Sequence, residues 1–298
     1  MDLKTPVIDI DWFSGATKGV NEAFAMACSD GSFKLVSKQG REEKSVADAH
    51  SGAITCLKWS YDGTALATSG EDGNIKLWAR SGALRSTLIQ SGKPIYYLTW
   101  SPASDMILYC NEKNLSIMPT APGQKQLTWK AHEGIVLCLD WNPANNLIIS
   151  AGEDCKYRVW DSYGRQLYSS SPYDHVITSI KWSPNGDLFA VGSYEMLRLC
   201  DKTGWSYSFQ KPEVGSLLKI AWNQDGTVIG AAGGNGSVLL ANVVERHLQW
   251  ANIEAKLDED NKITVQDCLH ELNEELDFRD RVVNMSLRHN HLIVATTS

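Results

Sequence analysis

His132, Ser150 and Asp154 are the base, hydroxyl and carboxylate that a nucleophilic triad requires. A second set, His50, Thr68 and Asp72, stands at the same offsets, 18 and 22 residues after its histidine. Each set gains a tryptophan 28 residues after the histidine, Trp78 in one and Trp160 in the other. An indole N–H only donates and a carboxylate only accepts, while a hydroxyl and an imidazole do both. A directed chain Trp→Ser/Thr→His→Asp therefore satisfies every member, and such chains reinforce themselves at low dielectric. A nucleophile has no need of a second copy, so the predicted role of His50, Thr68, Asp72, Trp78, His132, Ser150, Asp154 and Trp160 is structural, with no catalytic residue.

Other candidate chemistry is weaker. Gly233–Ser237, GGNGS, lacks the Lys-Ser/Thr and following helix of a phosphate loop and is predicted to be a hairpin turn. Cys268, His270, His289 and His291 give C-x-H and H-x-H, which match no usual zinc spacing. Lys34, Lys76, Arg158 and Arg198 recur near the ends of similar segments and are expected at solvated alternate strand positions. No cofactor, metal or small-molecule substrate is expected.

The two polar sets lie within a unit that repeats. A tryptophan ends its first apolar segment at Trp12, Trp59, Trp100, Trp141, Trp182 and Trp222, with spacings of 47, 41, 41, 41 and 40 residues. In the fourth unit the segments VLCLDW, LIISAG and YRVW are β-branched or aromatic and too short for helices. Turn residues, Asn142 to Asn146 and then Glu153-Asp154, separate them. A leading histidine, a closing Trp-Asp and this period predict an all-β fold, a WD40-type β-propeller with six repeats. Repeat three lacks both the histidine and the closing tryptophan, and repeats five and six put Cys200 and Ala241 in its place. A longer first loop, Phe13 to Glu22, accounts for the spacing of 47.

The repeats are assigned to residues 1–254, with an outer strand near His247–Ala251 ending the sixth. Residues 255–298 read as a linker with a short amphipathic helix, since Val265, Leu269, Leu272 and Leu276 recur at helical spacing. VVNMSL and HLIVATTS then resemble the first strands of a following propeller. With only six residues before Val7, the apolar faces of repeats one and six are expected to stay partly exposed or to be forced together in a strained six-blade ring.

A net charge of −7, from 28 Lys and Arg against 35 Asp and Glu, argues against nucleic-acid or anionic-membrane surfaces. No apolar run reaches the length of a membrane-spanning helix. The seven cysteines contain no CxxC and fall mostly inside apolar segments, as expected of buried thiols in a reducing compartment.

Four segments go further than a generic repeat: SAGEDCKYRVWDSYGRQLY, LFAVGSYEMLRLCDKTGWSYS, GALRSTL and LDFRDRVV. They closely resemble the intraflagellar transport protein 80 family, WD-repeat subunits of the ciliary transport complex B. The resemblance implies two consecutive propellers followed by helical repeats. On that basis the six repeats here are blades two to seven of the first propeller, with a first blade before Val7 and a second propeller continuing past Ser298. It further implies a non-enzymatic scaffold for kinesin-driven transport, located at the cilium and its base, whose partners are other complex B subunits. The alternative within the binding class is a cytosolic adaptor of a vesicle-coat-like complex. From another class comes a propeller hydrolase.

Overall fold

The computed structural model of the chain describes residues 5–13, 23–243, 247–259, 261–270 and 272–297. The long first loop, from residue 14 to 22, lies outside them. By contacts the chain forms two units, one running to Ala221 and including Ala231–Val238, the other comprising Trp222–Gly230 and the residues from Leu239 on.

The turns between short apolar segments fold each segment back on its predecessor, giving four-stranded antiparallel meanders. The first sheet is β1 (Val7–Trp12), β2 (Ala23–Cys28), β3 (Phe33–Ser37) and β4 (Glu42–Val46). The second is β5 (Ile54–Trp59), β6 (Ala65–Gly70), β7 (Asn74–Ala79) and β8 (Leu84–Gln90). The third is β9 (Leu98–Trp100), β10 (Met106–Asn111), β11 (Asn114–Pro119) and β12 (Leu127–Lys130). The fourth is β13 (Val136–Trp141), β14 (Ile148–Gly152), β15 (Tyr157–Trp160) and β16 (Gln166–Ser169). The fifth is β17 (Ser179–Trp182), β18 (Leu188–Ser193), β19 (Met196–Asp201) and β20 (Ser206–Gln210). The sixth sheet has three strands, β21 (Leu217–Trp222), β22 (Val228–Gly233) and β23 (Val238–Asn242).

The core of the first unit lies between sheets. Phe33 and Leu35 of repeat one pack with Ile54, Leu57 and Leu66 of repeat two. Ala67 and Ile75 of repeat two meet Leu98 and Ile107 of repeat three, and Leu115 of repeat three meets Val136 and Leu139 of repeat four. Ile149 and Val159 of repeat four meet Ile180 and Phe189 of repeat five. Sheets covered on both faces need continuous apolar strands, which is why ALATSG and IISAG are buried throughout. The outermost strands β4, β8 and β20 are mostly exposed, and charges such as Glu42, Glu43 and Lys44 blunt the edge of β4.

The second unit corrects two expectations. The strand expected to end the sixth repeat, β24 (His247–Trp250), pairs with β25 (Ile253–Glu259), with Leu248 opposite Ala255. It therefore begins a new sheet with β25, β26 (Lys262–Asp267) and β27 (Leu272–Asp277), and the expected break between 254 and 255 falls inside that sheet. The amphipathic helix does not form. Val265 lies in β26, Leu272 and Leu276 lie in β27, and Leu269 occupies the turn. Asp267 accepts the Leu269 N–H at 2.9 Å and contacts the His270 ring at 2.7 Å, holding the reversal. Ile263 then faces Leu276 across the ladder, so period-two pairing prevails over the 3.6 spacing. β28 (Val282–Arg288) and β29 (His291–Thr296) form a hairpin, and Ala255, Leu257, Ile263, Val282, Met285 and Leu287 make up the core of this unit.

Candidate functional site

Strand pairing brings each polar set together. In repeat two Trp78 Nε1 donates to Thr68 Oγ1 at 2.8 Å, Thr68 Oγ1 lies 2.7 Å from His50 Nε2, and His50 Nδ1 lies 2.9 Å from Asp72. The corresponding distances in repeat four are 2.9, 2.8 and 2.8 Å for Trp160, Ser150, His132 and Asp154. Because the indole can only donate, the hydroxyl passes its proton toward Nε2 and the imidazole donates from Nδ1 to the carboxylate. Gly70 leaves the room this needs, since a Cβ there would stand 2.7 Å from His50 Nδ1.

Burial is the largest influence on both imidazoles. It pushes them below their ordinary value despite the pull of Asp72 and Asp154, so both stay neutral near pH 7. Burial opposes the charge of the two carboxylates as well. The bonds from His50 and His132, together with those from Asn74 to Asp72 and from the Glu133 N–H and Arg158 to Asp154, outweigh it and hold both below the usual range. Ser150 is 0% and His132 1% exposed, which leaves no approach for a substrate to the hydroxyl.

The inner strands carry a second device that sequence reasoning missed. Asp11 accepts the Trp59 N–H at 2.8 Å and the Lys58 ammonium at 3.1 Å. Three repeats later Asp140 accepts the Trp182 N–H at 2.9 Å and the Lys181 ammonium at 2.7 Å. In both cases the residue before one repeat's tryptophan ties down the residue before the next. Asp9 joins the same cluster, receiving Lys219 at 2.9 Å, Lys58 at 3.4 Å and the Leu57 N–H at 3.2 Å. Burial works against the Asp9 charge, but Lys58 and Lys219 overcome it and hold the carboxyl far below the usual range. Desolvation likewise opposes the charge on Lys58, and Asp11 and Asp9 keep it protonated well above its ordinary value. Tyr61 OH reaches the Trp141 carbonyl at 2.9 Å, and burial raises that hydroxyl to about 12. The signal was present in the sequence as the alternating pairs Asp-Trp and Lys-Trp at 11–12, 58–59, 140–141 and 181–182.

The six repeat tryptophans do not share one environment. Trp59, Trp100, Trp141 and Trp182 are buried, Trp222 is half-buried and Trp12 is 53% exposed. Trp100 Nε1 donates to Lys58 O at 2.9 Å, while the indole N–H groups of Trp59 and Trp182 are buried without a hydrogen-bond partner among the described residues. The expected solvated stripe is also corrected. Lys34 does pair with Glu42 near solvent, but Lys76 reaches Ala49 O and Arg158 is buried against Ala131 O and Asp154. These cations close the loop that precedes their own sheet.

GGNGS forms the turn between β22 and β23, with Gly236 at φ +84° and its N–H on Gly233 O. Among the described residues no group of three or more His, Cys, Asp or Glu could hold a metal ion. Cys28, Cys56, Cys110, Cys138 and Cys200 are free and buried, Cys155 is half-buried and Cys268 exposed. Burial pushes the Cys56 and Cys200 thiols up to about 12. Among the described residues no helix is long and apolar enough to cross a membrane.

Meandering four-stranded sheets, each repeat linked to the next through its inner strand and two of them carrying Trp–Ser/Thr–His–Asp chains, define a WD-repeat protein of the β-propeller class. The family model for the WD domain, G-beta repeat, matches residues 41–79, 123–161 and 164–201. That for the IFT80 second beta-propeller matches 245–298. Over 294 residues, 97% of its length, the chain is 52% identical to the intraflagellar transport protein 80 homologs of Mus musculus and Rattus norvegicus. It spans 38% of the length of those relatives. Over 81 residues, 27% of the chain and 14% of the relative, it is 36% identical to the F-box-like/WD repeat-containing protein TBL1X of Mus musculus. The chain belongs to the intraflagellar transport protein 80 family.

Proposed function

We propose that this chain serves as a non-enzymatic WD-repeat scaffold of intraflagellar transport complex B, binding other subunits during cilium assembly and kinesin-driven anterograde transport. Its place is the cilium and ciliary base, in contact with the reducing cytoplasm. The observation that carries the reading is 52% identity over 97% of the chain to relatives named for intraflagellar transport. The geometry of the two polar sets supports a structural role for them. Ser150 accepts from Trp160 and is sealed from solvent, so the hydroxyl is committed to the sheet rather than to a substrate. The scaffold needs no cofactor, nucleic acid, membrane insertion or small-molecule substrate.

Affinity purification of the tagged chain from ciliated cells, followed by mass spectrometry, tests the proposal. Complex B subunits should dominate over a tag-only control. Recovery of vesicle-coat subunits in their place overturns the reading in favour of a coat-like adaptor. A hydrolytic activity abolished by Ser150→Ala would place the chain in another class.

A further inference from the structure

Repeat five lacks the side-chain partner that the corresponding cation has in repeat four. Across the ladder Ser150 stands opposite Arg158, whereas Val191 stands opposite Arg198. Two residues beyond each arginine stand Trp160 and Cys200, and four residues before stand Asp154 and Tyr194. Arg158 accordingly donates to Asp154 at 2.9 Å and to Ala131 O at 2.7 Å. Arg198 makes no hydrogen bond or ion pair among the described residues, and its Nε is shut off from solvent without a partner. The guanidinium lies between the rings of Tyr173 and Phe209, 5.0 and 4.9 Å from their centroids. It lines a recess of about 350 Å³ that Lys211 and Tyr194 also line.

The walls are fixed by bonds that do not involve the arginine. Tyr173 N–H donates to Cys155 O at 2.8 Å, and Ser193 Oγ donates to Val176 O at 2.7 Å. A guanidinium clamped between two aromatic faces has already lost its side-chain freedom and part of its hydration, so an incoming anion need not order it. Its fork of N–H donors matches a carboxylate.

We infer that this recess takes a single carboxylate, the Asp or Glu side chain of a linear segment on a partner protein. Geometry selects the carboxylate, whose two coplanar oxygens match the planar guanidinium fork. Asp174 and Glu195 line the recess together with Arg198 and Lys211, so the lining charge is balanced and offers a dianionic phosphate no surplus attraction. Tyr207 and Phe209, alternate and exposed residues of β20, offer an apolar ledge for an aliphatic neighbour of that acid. The inference goes beyond membership of a transport complex, because it concerns the chemistry of one recess. Capture from ciliated cells and peptide binding to the purified chain therefore succeed or fail separately.

The test titrates the full ¹⁵N-labelled chain with a blocked Gly-Leu-Glu-Leu-Gly peptide, following the Arg198 Nε–H resonance. Saturable movement of that resonance is expected. Binding should weaken about tenfold or more when the peptide carries Gln for Glu, or the chain carries Arg198→Gln. Arg198→Lys should retain part of the affinity, and binding should weaken with added salt. Equal binding of the Glu and Gln peptides, or tighter binding of a phosphoserine peptide, overturns the inference. If Arg198→Gln lowers the melting temperature, the wild-type Glu/Gln comparison and the exposed variant Lys211→Gln decide, the latter expected to weaken the Glu peptide alone.

Discussion

Asp140 and Lys181 sit in successive repeats and meet at 2.7 Å, while the other oxygen of Asp140 takes the buried N–H of Trp182. One carboxylate thus satisfies a main-chain donor and a cation on the neighbouring sheet, as Asp11 does for Trp59 and Lys58. Packing alone fixes how far apart two sheets stand. This contact also fixes their register, because a one-residue slip of β17 would turn Lys181 to the other face.

Asp140→Ala should lower stability by about 3 kcal/mol, since it removes two bonds to a charged acceptor and strands a buried N–H. The comparison is Asp187→Asn, which breaks an exposed pair with Lys202 at 3.4 Å and should cost about 0.5 kcal/mol or less. Chemical denaturation of both variants measures the difference. Equal losses would remove the inter-repeat role of Asp140.

Trp160→Phe should cost about 1 kcal/mol and His132→Ala about 3 kcal/mol. The first removes one donor from a chain that keeps its other bonds. The second leaves Ser150 and Asp154 both without their ring partner and opens a cavity. Thermal melts should rank the variants in that order, and an unchanged melting temperature for His132→Ala would show that the chain contributes nothing.

The strands and their period were legible because sheets covered on both faces demand short continuous apolar runs. The offsets of His50, Thr68, Asp72 and Trp78 were legible because side-chain types with complementary donor roles recur at equal spacing. The second unit was less legible. Val265, Leu269, Leu272 and Leu276 fit a helical stripe on paper, and only the pairing of Ile263 with Leu276 distinguishes a hairpin. The link from Asp140 to Lys181 was hidden for another reason. It joins residues 41 apart, and nothing within one repeat states which strand faces the next. Arg158 looked solvated because strand alternation places it outward, yet the loop ending at Ala131 folds over it.

Acidification should destabilise the chain as the pH falls below about 6.5. Burial holds His50 and His132 below the ordinary imidazole value, so the unfolded chain binds protons that the folded one refuses. That contribution to stability is complete above the unfolded value and is lost as the pH falls through it toward the folded one. Melting temperatures measured from pH 7.5 to 5 should fall, by about 2–4 °C for each kcal/mol lost. The double variant His50→Gln, His132→Gln should start lower and fall less steeply. A wild-type profile that stays flat over this range would contradict the neutral imidazoles.

The last prediction concerns β1, whose two faces do different things. Asp9 and Asp11 point to the inner cluster of Lys58 and Lys219, while Ile8, Ile10 and Trp12 alternate with them on the opposite face, each about half exposed. Among the described residues, Trp12 makes a tilted ring contact with Phe24 at 4.9 Å that shields part of that face. Contiguous exposed apolar surface promotes association, so the 298-residue chain should bind a hydrophobic dye and show concentration-dependent light scattering. Ile10→Lys should reduce both signals without lowering the melting temperature, because the wild-type side chain is already in water over much of its surface. Asp11→Ala, on the inner face, should do the reverse, lowering the melting temperature and leaving dye binding at native temperature unchanged. Monodisperse wild-type protein without dye binding, or a loss of stability in Ile10→Lys as large as that of Asp11→Ala, would mean that this face is covered in solution.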